Sequence, residues 1–287
     1  MLTVVIILVC LIPCGLLLWR LSDALAERNA WTRLADLSDG AAVAFDPKTV
    51  KDLPDPARRF FLYTFSEGAS LHRNTVLTMT GELSLGRKDA PDYRPMQARQ
   101  ILAPPYGLVW RLKFGAISGS DVLLPETSWT RFWVFHLLPV VRVGRARDHQ
   151  LSAFGRLIAE SAFWAPAALL PGKDITWEPV DDQIARAICH FQGFEQTVEI
   201  TVDPDGRPSH VVIDRWSNEN PEHLFRRQPF GGTLSCFRDF DGVRLPTYVE
   251  GGNHFGTEDY FPFYKARILS VSFDATGPKS GAGSSAT

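Results

Sequence analysis

Neither sign of charge dominates this sequence. Thirty Lys and Arg residues oppose thirty-two Asp and Glu, a net charge of −2 at pH 7. That balance gives no broad electrostatic footprint for nucleic acid, so nucleic acid is not an expected partner. Cysteine is scarce as well. Of four in the chain, Cys10 and Cys14 lie in an N-terminal apolar run, which leaves Cys189 and Cys236 to the body. Two buried free thiols are the reading that cysteine's burial preference favours, with a disulfide between them as the alternative. No C-x-x-C spacing argues for metal or redox work. The seven histidines are scattered, with neither H-x-x-H nor H-E-x-x-H among them. G-x-S-x-G, the P-loop and G-x-G-x-x-G are all missing. Asp203-Pro204-Asp205-Gly206 suits a turn better than a calcium loop, which needs more oxygen ligands at fixed spacing. No metal or cofactor is expected. These absences remove the motif-based arguments for an enzyme without excluding one.

Apolar residues are not scarce. They make up 45% of the 287 residues, enough for a substantial core in one large domain or two smaller ones. Residues 2–19, LTVVIILVCLIPCGLLLW, are almost wholly apolar. Eighteen residues at about 1.5 Å each come close to crossing a bilayer core. Three readings compete: a membrane-spanning anchor, a cleaved signal peptide with Ala24-Leu25-Ala26 as its site, and a lipoprotein signal ending at Cys14. No Lys or Arg precedes the run, Arg20 and Asp23 intrude before the cleavage site, and Pro13 fits poorly before a lipidated cysteine. The anchor is the expectation. Arg20, Arg28 and Arg33 after the span lean towards a cytoplasmic body. An uncleaved signal-like start commonly delivers its domain outside, and the expected location is the inner membrane with an extracytoplasmic body.

Beyond the anchor the period of the apolar residues changes from element to element. Residues 22–37 read as a polar helix and 38–51 as a linker. In residues 53–65, LPDPARRFFLYTF, Pro56 suits a first helical turn. From Thr75 onwards the period is two, and strands are expected over 75–85, 97–103, 106–114, 174–179, 184–191, 197–202, 210–216, 234–240, 243–250 and 263–273. Residues 129–141, WTRFWVFHLLPVV, form the most apolar run of the body, read as a buried strand or edge of the core, or else as the lining of a greasy pocket or a segment that touches lipid. His136 within it is expected to be a satisfied core histidine. Arg142, Arg145 and Arg147 after it suit a solvated loop or an anionic headgroup site.

One stretch of the body is strongly helical, residues 148–172. Leu151, Phe154, Ile158, Ala162, Ala165 and Leu169 form an apolar stripe, Asp148 is the expected N-cap, and Pro166 stops the helix. Opposite the stripe, Ser152, Arg156, Glu160 and Trp164 stand in a row. A solvated face is the reading that the burial habits of long charged side chains favour; the sharper reading is a row aimed into a cleft. In the strand at 210–216, Val211, Ile213 and Arg215 share a face. If the valine and isoleucine are core, Arg215 points inward and needs a carboxylate such as Glu160, or a ligand's anionic group.

Several segments together resemble an uncharacterised bacterial family, a domain of unknown function often preceded by an N-terminal membrane segment. They are LPDPARRFF at Leu53, the segment around Trp110, GRLIAESAFWAPAALLPG, ITWEPVD at Trp177 and IDRW at Arg215, which span residues 53–273. The resemblance implies no established activity. The strand-rich layout also looks like lipoprotein-carrier (LolA-like) folds, in which a curved antiparallel sheet wraps a greasy cavity under helices.

The expected architecture is α+β: a large curved antiparallel sheet covered by one main helix at 150–165, behind an N-terminal transmembrane helix. Its parts are an anchor at 1–21, a juxtamembrane helix and linker at 22–52, a single domain at 53–274 and a disordered tail at 275–287. The expected function is a membrane-anchored module that binds an apolar or amphiphilic, lipid-like ligand between sheet and helix. Its partners are then the bilayer and that ligand. Trp110, Trp133, Phe135 and Trp164 supply apolar wall, and Arg156, Glu160 and Arg215 hold a polar headgroup. The rivals are an enzyme using Glu160 as acid or base near Arg215, and a structural subunit of an envelope complex.

Overall fold

A computed structural model describes residues 2–37 and 43–273, with side chains from Leu11 onwards. Residues 38–42 of the expected linker 38–51, and the expected disordered tail, lie outside the described residues.

The body is a meander of antiparallel hairpins. Two short strands, β1 (Val43–Ala44) and β2 (Ser70–Leu71), pair with each other beside helix α2 (Asp55–Thr64). The first arm of the main sheet follows as β3 (Thr75–Ser84), β4 (Tyr93–Ala103), β5 (Gly107–Phe114), β6 (Ile117–Leu124), β7 (Thr127–Val134) and β8 (Leu138–Gly144). Helix α3 (Arg147–Trp164) then crosses to the other edge. The second arm is β9 (Ile175–Pro179), β10 (Ile184–Phe191), β11 (Phe194–Val202), β12 (Pro208–Ser217), β13 (Arg226–Phe240), β14 (Val243–Asn253) and β15 (Phe261–Ser272). β15 pairs with β3, which closes the seam between the arms and makes one 13-stranded antiparallel sheet.

The sheet must be strongly curved. Laid flat, β7 and β12 would stand eight strand spacings apart, about 38 Å at ~4.8 Å each. A helix with its side chains is only about 10–12 Å across. Yet α3 packs on β12 and β11 from one arm and on β6, β7 and β8 from the other. The sheet therefore wraps round α3, with its apolar stripe of Phe154, Ile158 and Ala162 buried in the main core. Gly155 allows the close approach to the second arm: a Cβ there would lie 3.0 Å from Gln196 Oε1 and 3.4 Å from Ile213 Cδ1. Helix α2 lies on the same inner face, with Phe60 and Phe61 against Trp177.

The outer face is covered by α1 (Leu2–Ala35), one helix of 34 residues running without a break from the apolar run into the polar segment. Ala30, Trp31 and Leu34 form a second core with Val76, Ile101, Val109, Val122 and Trp129. Asp23 is buried, within 2.9 Å of Arg131 and paired also with Arg142 and the Trp133 indole. Asn74 donates to the carbonyls of Leu34 at 2.9 Å and Leu37 at 3.0 Å, which satisfies groups at the end of the helix. Among the described residues, no helix is long and apolar enough to cross a membrane.

Several expectations need correction. The protein is mainly β rather than α+β, because the sheet is larger than the apolar alternation revealed; residues 117–124, ISGSDVLL, form a strand with little alternation to mark it. Residues 129–141 are two strands, not one, separated by a turn in which Phe135 and His136 take φ of 52° and 59°. His136 is exposed in that turn, held by Ser118 at 3.0 Å, and is not a core residue. Arg142 is an outer-face residue of β8 paired with Asp23, not part of a solvated loop. Asp148 does not cap α3; Ala146 is the N-cap and the Asp148 carboxylate accepts from Trp216 Nε1 at 2.8 Å. Cys189 and Cys236 are both free, but only Cys189 is buried.

Candidate functional site

Between α3 and the first arm the inner face leaves a cavity of about 540 Å³. Its wall is built by alternation. On β5, Trp110, Leu112 and Phe114 point inward, Phe132 does so from β7, and Tyr264 and Phe263 close the side at β15. At the inner end stand Arg156, Glu160, Thr130 and Arg215.

The polar row of α3 is inside the protein, so its reading as a solvated face is corrected. Arg156 and Glu160 each keep only 12% of their side-chain surface exposed. Sheet curvature supplies the partners that make this burial tolerable. Arg156 donates from Nε to Glu160 at 2.6 Å and from Nη1 to Asp121 on β6 at 2.7 Å, and lies 4.6 Å over the Trp110 ring. Burial opposes the Arg156 charge, but Glu160 and Asp121 outweigh it and raise its affinity for the proton above that of an ordinary arginine. The second Glu160 oxygen accepts from the buried Gln100 amide. Asp121 also accepts from Thr130 Oγ1 at 2.7 Å, and Thr130 is 3.0 Å from His149 Nε2. Burial holds His149 below its usual range; Asp121 pulls the other way, and Arg215 adds a smaller push in the direction of burial. Tyr264, facing Trp110 edge-on at 6.1 Å, is pushed well above the usual phenol range by burial and then by Glu160.

Arg215 differs from Arg156. It does point inward with Val211 and Ile213, but Glu160 is not its partner, being taken by Arg156. Its Nε donates to the Ser152 carbonyl at 3.3 Å and its guanidinium lies 4.8 Å over the Phe230 ring. Among the described residues it forms no ion pair. Burial and the neighbouring Arg156 both push its proton affinity below that of an ordinary arginine, with Asp121, Glu160 and Glu219 opposing from a distance. Beyond Arg215 and Thr130 a second cavity of about 530 Å³ opens, with Asp148, His149, Ser152, Asn218 and Glu219 among its lining. Arg215 thus stands between an apolar chamber and a more polar one. Among the described residues no cluster of three His, Cys, Asp or Glu is placed to hold a metal ion.

Of the seven residues expected at the site, the structure brings together Trp110, Arg156, Glu160 and Arg215. Three fall elsewhere. Trp133 is on the outer face, its indole on Asp23 and its ring against Trp19 at 5.8 Å. Phe135 is at the tip of the β7–β8 turn and 75% exposed. Trp164 is fully buried, reaching the Pro246 carbonyl at 3.4 Å, and lines no part of the cavity. Sequence reasoning missed Phe132, Asp121, Thr130 and Gln100. Parity was the available signal for the first, since Phe132 must oppose Trp133 on a strand.

No curated protein sequence matches the chain. Among solved structures, a domain described as an outer membrane lipoprotein-sorting protein from Vibrio parahaemolyticus aligns at 11% identity and a TM-score of 0.37, covering 69% of this chain and 84% of its own. A LolA-superfamily protein from Nitrosomonas europaea aligns at 10% identity and 0.38, over 70% and 84%. A DUF1329 protein from Desulfovibrio piger gives 10% and 0.37 over the same shares. Residues 43–266 match the model of a family of unknown function, DUF6544, and the chain belongs to that family.

Proposed function

We propose that the protein is a membrane-tethered module that binds an amphiphile, with hydrocarbon in the apolar cavity and an anionic group against Arg215. The observation that carries this reading is the guanidinium of Arg215, half-buried and without a carboxylate, at the inner end of a cavity walled by Trp110, Leu112, Phe114 and Phe132. A buried charge without a counter-charge is costly, and a ligand anion supplies what the chain withholds. The volume of about 540 Å³ suits a small-molecule or lipid-tail site. Glu160 is poorly placed as a catalytic acid or base, because Arg156 and Gln100 occupy its two oxygens.

The tether is the apolar run at residues 2–19. Leu11, Ile12, Leu17 and Leu18 are all more than half exposed on α1, an apolar surface that the body leaves uncovered. Retention of the segment fits the fold: cleavage after Ala26 would remove Asp23 and its links to Arg131 and Arg142. The inner membrane, with the body on its extracytoplasmic side, remains the proposed location.

Native mass spectrometry of the detergent-extracted full chain tests the binding. The expected result is a co-purifying amphiphile that is lost in Leu112→Trp, which fills the cavity. Arg215→Gln is expected to weaken an anionic amphiphile about tenfold to a hundredfold, the range for a hydrogen bond to a charged group. Wild-type protein that emerges empty, and whose melting temperature is unmoved by added anionic lipid, overturns the reading.

A further inference from the structure

The register of β7 against α1 assigns a second surface. Along α1 from Arg33 back to Trp19, the partners on β7 and the turn before it advance: Glu126 meets Arg33, Trp129 shares a core with Trp31, Arg131 pairs with Asp23, and Trp133 meets Trp19. The strand therefore runs antiparallel to the helix and points towards the apolar N-terminal run. Its last residues carry it further. Phe135 lies two positions beyond Trp133, about 6–7 Å at strand spacing, level with roughly the last turn of the apolar segment.

That tip is apolar and in the open. Phe135 is 75% exposed, Leu138 51% and Val140 52%. Phe135 and His136 both take left-handed backbone conformations, a place where hairpins ordinarily use Asn or Gly. A bulky aromatic there is poor design for a hairpin tip in water. The cavity opens at the same end of the sheet. Leu85 after β3 and Val140 on β8 both line it and are both more than half exposed, while Arg215 stands at the far, inner end.

We propose that the β7–β8 tip, with Phe135 and Leu138, inserts into the bilayer interface beside α1, so that the cavity mouth opens onto the membrane and a lipid enters it directly. The proposal rests on the tether reading above and adds to it the orientation of the body. The apolar run alongside the tip argues for a bilayer as occupant rather than a second protein, as does the pairing of Trp19 and Arg20 with Trp133, residue types that favour the headgroup level.

The test uses the full chain with Cys10, Cys14 and Cys236 changed to Ser. It is reconstituted into phosphatidylcholine–phosphatidylglycerol vesicles that carry doxyl-labelled phosphatidylcholine. An environment-sensitive fluorophore is placed at Phe135→Cys and, for comparison, at Lys173→Cys beside the Pro104–Pro105 turn at the opposite end. The expected result is blue-shifted emission and strong doxyl quenching at position 135, with neither at 173. In a second measurement, Phe135→Asp with Leu138→Asp is expected to slow uptake of a fluorescent phosphatidylglycerol about tenfold or more while the chain still floats with vesicles. A chain that floats with vesicles but keeps its 135 label in water overturns this proposal and leaves the tether standing. A chain that does not float overturns both. A 135 label shielded from a water-soluble quencher yet untouched by doxyl lipid means a protein covers the tip, and also overturns it.

Discussion

Replacing Arg156 with Met removes the one cation shared by two carboxylates and keeps much of the side chain's apolar length. Asp121 and Glu160 are 16% and 12% exposed, so both would be left charged with little water around them. Breaking a buried pair from one side costs about 3–5 kcal/mol. Two features place the cost here near the low end: Thr130 still donates to Asp121, and Gln100 still donates to Glu160. The contact with the Trp110 ring at 4.6 Å is lost as well, worth about 1 kcal/mol when partly desolvated. The sum is about 4 kcal/mol, or a fall in melting temperature of roughly 8–16 °C at 2–4 °C per kcal/mol for a domain of this size. Urea unfolding of detergent-solubilised chain measures it, provided the m-value is unchanged. The decisive comparison is Arg156→Met with Asp121→Asn and Glu160→Gln, which deletes the charged group whole and should recover most of the loss. A single variant that costs under about 1 kcal/mol, or a triple variant no better than the single, refutes the buried network.

Three further outcomes follow from separate parts of the molecule. Because burial holds His149 below 6.5, the unfolded chain takes up a proton first as pH falls, so stability drains away below about pH 6.5; His149→Gln should flatten that slope in urea titrations at about pH 7.5 and 5.5, and an unchanged slope refutes a neutral buried imidazole. Asp23→Ala leaves Arg131 and Arg142 without their carboxylate and should cost about 3 kcal/mol, with hydrogen exchange rising first in α1 after Trp19; uniform protection there would show that the second core alone seats the helix. In a chain with Cys10 and Cys14 changed to Ser, a thiol reagent should modify Cys236 at once and Cys189 only on unfolding, since burial pushes the Cys189 thiol up to about 12; equal rates refute the assignment. As a check on the proposed tether, a membrane-impermeant reagent is expected to reach the same exposed Cys236 in intact cells, and protection there overturns an extracytoplasmic body.

The elements that alternated cleanly in the sequence were legible and those that did not were missed. The stripe of α3, the strands at Thr75 and Leu108, and the turn at Asp205-Gly206 all stand where the pattern put them, because each is set by neighbours close in the chain. Arg215 was readable for the same reason: sharing parity with Val211 and Ile213 fixes its face whatever lies opposite. Its partner was not, because no local rule says that Asp121, ninety-four positions earlier, folds across to take Arg156 and leave Arg215 alone. The curvature that does this belongs to the whole sheet. Trp133 and Phe135 were misplaced through a neglected local rule. On a strand they share a side that Phe132 opposes, and the turn after Val134 takes Phe135 out of the wall altogether. Set outside the cavity, these two aromatics gain a different meaning. Trp133 seats the helix that leads into the apolar run, and Phe135 projects past it at the same level, so the residues that fail as wall are the ones that aim the cavity's mouth.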